Sequence, residues 1–167
     1  LITKDISQAQ HFIDEFSQIY RYVLETIEKT VVTLSQELSF VRSYFFLQQM
    51  RYGENLTLNV NLSSDLLHLY IPPLSLQVIL ENAIKHNVVN DISPLHVSIY
   101  NEGTWLIITN NIQSKISMVK SMGLGQKNLI KRYQLISEKI PSFQVCNEKY
   151  VVKIPLLNIE NNEGIDH

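Results

Sequence analysis

Across residues 6–28 apolar side chains recur at Ile6, Ala9, Phe12, Ile13, Phe16, Ile19, Val23, Leu24 and Ile27. Steps of mostly three and four trace one face of a helix. The pattern breaks at residues 29–32. Thr33-Leu34-Ser35-Gln36 then reads as a capping box, with the Thr33 hydroxyl on an early amide and Gln36 reaching back. A second helix is predicted over 34–51. Leu34, Leu38, Val41 and Phe45 form one apolar stripe, and Phe40, Tyr44 and Leu47 a second. Phe46 and Met50 lie on a third side. A helix apolar nearly all round has to be covered on several sides. Two readings stay open: a central core helix, or a helix held between its own domain and a partner chain.

Tyr52-Gly53-Glu54-Asn55 ends that helix, and the period changes to two. Leu56, Leu58, Val60 and Leu62 alternate with Thr57, Asn59 and Asn61, as in a half-buried strand. Residues 63–65 turn the chain. Pro72-Pro73 is read as the first turn of a new helix, which proline suits, running to about His86. Strands are predicted at 95–100 and 105–109, joined by a tight Asn101-Glu102-Gly103-Thr104 turn. A polar, irregular stretch at 110–122 precedes a helix at 124–137. Strands at 143–146 and 150–154 close the pattern, and 158–167 is a polar tail expected to fray. Two helices among five strands predict an α+β fold, a two-layer α/β sandwich with the helices on one face and two further helices in front. A doubly wound sheet would need helices after most strands.

The 167 residues suffice for one ordinary domain with a helical attachment. A hydrophobic share of 45% with 18% charged residues is globular composition. A net charge of -2 offers no basic field for a phosphate backbone, so nucleic acid is not an expected partner. The single cysteine, Cys146, excludes an internal disulfide and is expected as a small apolar core residue in a strand. No stretch approaches a membrane span. The chain opens on Leu1, so it is expected to be a fragment, with any membrane segment upstream.

Two clusters bear chemistry. In Glu81-Asn82-Ala83-Ile84-Lys85-His86-Asn87 five polar residues crowd one end of an apolar helix. Their carboxylate, amide and ammonium groups suit hydrated Mg²⁺ and phosphate oxygens, although most such clusters are only solvated helix ends. Gly123-Leu124-Gly125-Gln126-Lys127-Asn128 follows a polar loop and opens a helix. Two glycines let backbone amides approach a ligand, and a helix start attracts phosphate; standing alone, this pattern reads first as a flexible loop ending at a helix start. His11, His68 and His96 have no metal-ligand spacing and are expected as surface or structural residues; His167 lies in the tail.

In this order, the two clusters resemble a known family. Pro72-Pro73-Leu74, followed by Leu80-Glu81-Asn82-Ala83-Ile84-Lys85-His86, is similar to the N box of LytS-type sensor histidine kinases. Gly123-Leu124-Gly125-Gln126-Lys127-Asn128-Leu129 resembles their second glycine box. Tyr20-Arg21-Tyr22-Val23-Leu24, Leu34-Ser35-Gln36-Glu37-Leu38 and Arg51-Tyr52-Gly53 resemble the helical segment between phosphoacceptor and catalytic domain. The resemblance covers residues 1–156. It implies the GHKL (Bergerat) ATP-binding fold over 54–157, behind a partial dimerisation segment over 1–53. It implies ATP and Mg²⁺ as ligands, with Asn82 on the metal and Glu81 and Lys85 beside it as catalytic groups. Lys85, His86, Gly123, Leu124, Gly125, Lys127 and Asn128 would surround the phosphates. Asn110 stands where the family has an adenine-binding aspartate, and its amide oxygen can still accept that hydrogen bond. Ile112 replaces the glycine of that box. Val78 occupies the place where ATP-hydrolysing members of the superfamily carry a water-activating carboxylate.

The resemblance also implies a homodimer, a LytTR-type response regulator as partner, and a cytoplasmic domain of a bacterial inner-membrane protein. The γ-phosphate would pass to a histidine upstream. The family's phosphoacceptor motif, with a Pro-His-Phe core, does not occur in the chain, so this chain alone is expected not to phosphorylate itself there. The alternative expectation is a degenerate dimer module of the same fold that does not turn over ATP. A serine kinase of the anti-sigma-factor kind would not need the long helices at 6–51.

Overall fold

The computed structural model describes residues 2–112 and 123–159. The polar stretch and tail expected at 110–122 and 158–167 lie largely outside them. Helix α1 spans Ile2–Thr26. Helix α2, Leu34–Tyr52, begins at the capping box read from the sequence. The Gln36 amide donates to Thr33 Oγ1 at 3.2 Å, and the Thr33 amide donates to Gln36 Oε1 at 3.0 Å. Such a cap contributes about 1 kcal/mol. The next two amides, of Leu34 and Ser35, donate to the carbonyls of Leu69 and Leu67, so the start of α2 is fixed to a distant loop. Gly53, at φ 58, ends the helix in a conformation that costs glycine nothing.

Five strands form one sheet: β2 (Leu56–Asn61), β4 (Leu95–Glu102), β5 (Trp105–Asn111), β6 (Ser142–Cys146) and β7 (Lys149–Pro155). Their order is β2-β4-β5-β7-β6, with only β2 and β4 parallel. Helix α3 (Ser75–His86) makes that parallel crossover, and α4 (Leu124–Gln134) links β5 to β6. Inward residues of the sheet such as Leu95, Val97, Ile108, Val152 and Ile154 share one core with Ile79, Leu80, Leu129 and Tyr133 of the helices. The predicted two-layer sandwich is present. Its other face is polar, with Asn59, Asn61, Ser98, Thr109 and Lys149 around an open depression of about 470 Å³.

Leu34, Leu38, Val41 and Phe45 of α2 belong to that same core, while Tyr22 of α1 stacks on Phe40 at 4.7 Å. Helix α2 is therefore covered by α1 on one side and by α3 and β2 on the other. The core-helix reading accounts for most of its apolar surface.

Three expectations need correction. A second sheet escaped the sequence: β1 (Val32–Thr33) pairs with β3 (Tyr70–Ile71). Pro72-Pro73 does not begin α3; the helix starts at Ser75, after Leu74 in the left-handed region at φ 62. Cys146 is exposed, because β6 is an edge strand and its last residue has no layer above it.

Candidate functional site

Helix α3 buries Leu76, Ile79, Leu80, Ala83 and Ile84 against the sheet. The 3.6-residue period then turns Glu81, Lys85 and His86 outward, where they are exposed. Asn82 lies between the two faces. Its Nδ2 is buried without a hydrogen-bond partner among the described residues. An orphaned buried amide costs about 1–3 kcal/mol, so such groups are rare in folded proteins. Asn87 at the helix end is buried too, but it is satisfied by the Ala83 carbonyl at 2.7 Å. Burial, together with the nearby Glu81 carboxylate and Tyr52, raises the Tyr44 phenol of α2 to about 12.

Helix α4 starts at Gly123, which caps it with extended backbone and no side chain. Leu124, Lys127 and Asn128 are exposed on its first turns. Gly125 is the point of closest approach to α3: a Cβ placed there would sit 3.0 Å from Val78 Cγ1. This contact seats the glycine cluster one helical turn before Asn82. It also gives Val78 a packing role. Alanine at 125 gains about 1 kcal/mol of helix propensity but meets a stiff β-branched neighbour, and overpacking costs about 1–3 kcal/mol. Gly125→Ala is expected to be neutral to destabilising in the native chain and stabilising by about 1 kcal/mol in a Val78→Ala background. Four denaturation curves measure that change of sign; equal effects in both backgrounds would refute the contact.

Asn110 is buried near the end of β5, directly across from Tyr150 of β7. Its Nδ2 donates to the Asn111 carbonyl at 2.8 Å. The Tyr150 hydroxyl accepts from Gln126 Nε2 of α4 at 2.5 Å. Burial raises the Tyr150 phenol above its ordinary range, and the Gln126 bond partly offsets this. Register and these contacts link Asn110 through Tyr150 and Gln126 to Gly125, and so to α3. Tyr150 and Gln126 were not singled out by sequence. Gln126 lay inside the glycine cluster, but nothing in a single strand marked Tyr150.

A second constellation joins the helices. Glu37 of α2 is fully buried, and the Tyr22 hydroxyl of α1 donates to its Oε1. The Leu74 amide donates to Oε1 at 2.7 Å and the Leu76 amide to Oε2 at 3.1 Å. Arg132 of α4 donates to the Pro73 carbonyl at 2.6 Å. Burial pushes the Glu37 carboxyl above its ordinary range, against the pull of the phenol, the two amides and Arg132.

Two other described histidines, His11 and His96, have partners of their own. His11 stacks on Phe46 with ring centres 4.2 Å apart, and His96 Nδ1 lies 2.6 Å from Thr57 Oγ1. Among the described residues no group of three His, Cys, Asp or Glu is placed to hold a metal. A metal here would rest on few protein ligands, as Mg²⁺ does when phosphates and water complete its shell. The buried, unsatisfied carboxamide of Asn82 fits that donor role, since rotating the amide presents its oxygen at the same point.

Residues 1–56 match the histidine kinase family, and the relatives found are sensor kinases. Over that stretch the chain is similar to histidine kinases. It is 34% identical over 86 residues to the sensor protein LytS of Staphylococcus haemolyticus (strain JCSC1435), covering 52% of this chain and 15% of that protein. It is 33% identical over 90 residues to the sensor histidine kinase/phosphatase LytS of Staphylococcus aureus (strain MRSA252), covering 54% and 15%. The chain thus spans about 15% of the length of these curated relatives. Its fold is that of histidine-kinase catalytic domains. The Acinetobacter baumannii histidine kinase AdeS superposes with TM-score 0.52 at 13% identity, over 93% of this chain and 82% of that one. The catalytic domain of histidine kinase ThkA does so with TM-score 0.52 at 15% identity, over 77% and 97%.

Proposed function

We propose that the chain is the ATP-binding catalytic part of a two-component sensor histidine kinase. The observation that carries this reading is the orphaned amide of Asn82, a polar group kept buried at a cost on the helix that faces the glycine cluster. In this reading Asn82 holds Mg²⁺, which neutralises phosphate charge when bound. Lys85, His86, Lys127 and Asn128 bind phosphate oxygens, Gly123 and Leu124 bring backbone amides to them, and Glu81 orients the α2 side of the site. Asn110 accepts the base's amino group. Val78, packed on Gly125, offers no base to activate water, which favours transfer over hydrolysis. Positioning and charge neutralisation supply most of such catalysis.

The phosphoryl acceptor is then a histidine outside this chain, and the next acceptor an aspartate of a LytTR-type response regulator. Ile13, Phe16, Tyr20 and Leu24 of α1, with Ile27 just beyond its end, remain exposed along one side, which supports assembly of residues 1–53 as a homodimer segment. No described helix is long and apolar enough to cross a membrane; an inner-membrane anchor would lie in further sequence, with this chain on the cytoplasmic side.

Calorimetric titration with ATP and Mg²⁺ tests the reading. Binding is expected between micromolar and low millimolar, about -4 to -8 kcal/mol. A folded sample that binds nothing at millimolar ATP would reject it. The degenerate-module reading, which Asn110 and Ile112 favour by replacing the family's aspartate and glycine, would then take its place.

A further inference from the structure

Helix α3 has no cap of its own. Leu74, at its N-cap, has no side-chain acceptor and sits in the left-handed region at φ 62, a strained conformation for a leucine. Such strain persists only where the surroundings impose it. Here the surroundings are Glu37, whose two oxygens take the Leu74 and Leu76 amides, and Arg132, which holds the Pro73 carbonyl. A local Ser or Asp would cap the helix as well. Instead the acceptor comes from α2, and it is held in turn by the Tyr22 hydroxyl of α1. Three helices meet at one carboxylate, and α4 holds the adjoining Pro73 carbonyl.

We propose that Glu37, oriented by Tyr22, is a positioning residue that ties the α1–α2 pair to helix α3 and thereby sets where Asn82 stands in the nucleotide site. Asn82 lies six residues beyond Leu76, about 9 Å along the axis of the same helix. A helix this short moves as a rod, so a displacement of its first turn is delivered at Asn82. Misplacement by about 1 Å is enough to lower the efficiency of a phosphate site severely. Rotation of α1 on α2 makes or breaks the Tyr22 bond, and so changes how firmly the start of α3 is held. The functional end of this proposal rests on the nucleotide reading above; the mechanical link does not.

Tyr22→Phe removes one hydroxyl and leaves the cap intact, so it avoids the unfolding risk of deleting Glu37. Two measurements on the chain decide the matter. Amide hydrogen exchange is expected to quicken several-fold at Leu74 and Leu76 in Tyr22→Phe, although the substitution lies on another helix. MgATP affinity, measured well below the melting temperature, is expected to weaken about fivefold or more, and Glu37→Gln to weaken it further. Unchanged exchange at Leu74 and Leu76 overturns the link. Faster exchange with an affinity within about twofold of the native chain overturns the positioning role and leaves a purely structural cap. If the native chain itself binds no MgATP, the nucleotide reading falls, and exchange alone decides whether α1 is tied to α3.

Discussion

Asn82→Ala is expected to abolish Mg²⁺-dependent ATP binding while leaving the ligand-free chain as stable as before, or more so. The two effects come from the same atom. The buried Nδ2 has no partner among the described residues, so removing it lifts a penalty of about 1–3 kcal/mol. Alanine also gains about 0.6 kcal/mol of helix propensity over asparagine. For a chain of this length each 1 kcal/mol is worth roughly 2–4 °C, so the melting temperature should hold or rise by a few degrees. Loss of the metal ligand should weaken MgATP about 100-fold, or 2.7 kcal/mol, and ATP should no longer raise the melting point. A melt with and without MgATP reads both. A large loss of stability would instead make Asn82 an ordinary structural residue. This opposition between stability and binding is what a polar group kept for a ligand produces.

Glu37→Ala should have the opposite profile in the ligand-free chain, a large destabilisation. The substitution strands two backbone amides and the Tyr22 hydroxyl, and it leaves half-buried Arg132 without its counter-charge. Breaking a buried charged cluster costs about 3–5 kcal/mol. The expected fall in melting temperature is roughly 10 °C, read by denaturant and thermal unfolding together. A cost under about 1 kcal/mol would show that water or a neighbour replaces the cap at no loss.

These two residues mark how far the sequence alone could be read. The helical periods of α1 and α2, the Thr33–Gln36 box and the alternation of β2 are local patterns, and they appear as expected. Asn82 and Gly125 could be singled out because each sits in a compact motif. Glu37 was not singled out, although it heads the apolar stripe of Phe40, Tyr44 and Leu47, an odd place for a carboxylate. What it caps, however, lies 37 residues away at Leu74, and no periodicity reports that. The pairing of Val32 with Ile71 is hidden for the same reason, as two-residue strands show no alternation. Tyr150 enters the site only because β7 lies beside β5 and α4 crosses above. Cys146 shows the limit of residue type as a guide, since the edge position of β6 rather than its chemistry sets its exposure.

The parallel pairing of β2 with β4 has a consequence for how the chain reaches this state. The hairpins β4–β5 and β6–β7 close over two residues each, with Glu102 across from Trp105 and Cys146 across from Lys149. Such hairpins form in about 1–10 microseconds. Leu56 instead meets Leu95, and no tight turn can join parallel neighbours. The intervening segment must first be laid down, and its ordering entropy is lost before any of those hydrogen bonds reward it. The step that completes the sheet is therefore the step that sets α3 across it. A chain halted short of that step exposes the bare edge of β4, whose unpaired amides and carbonyls invite another chain. The seam that forms the binding helix's crossover is also the place where a nascent or heated chain is most open to aggregation.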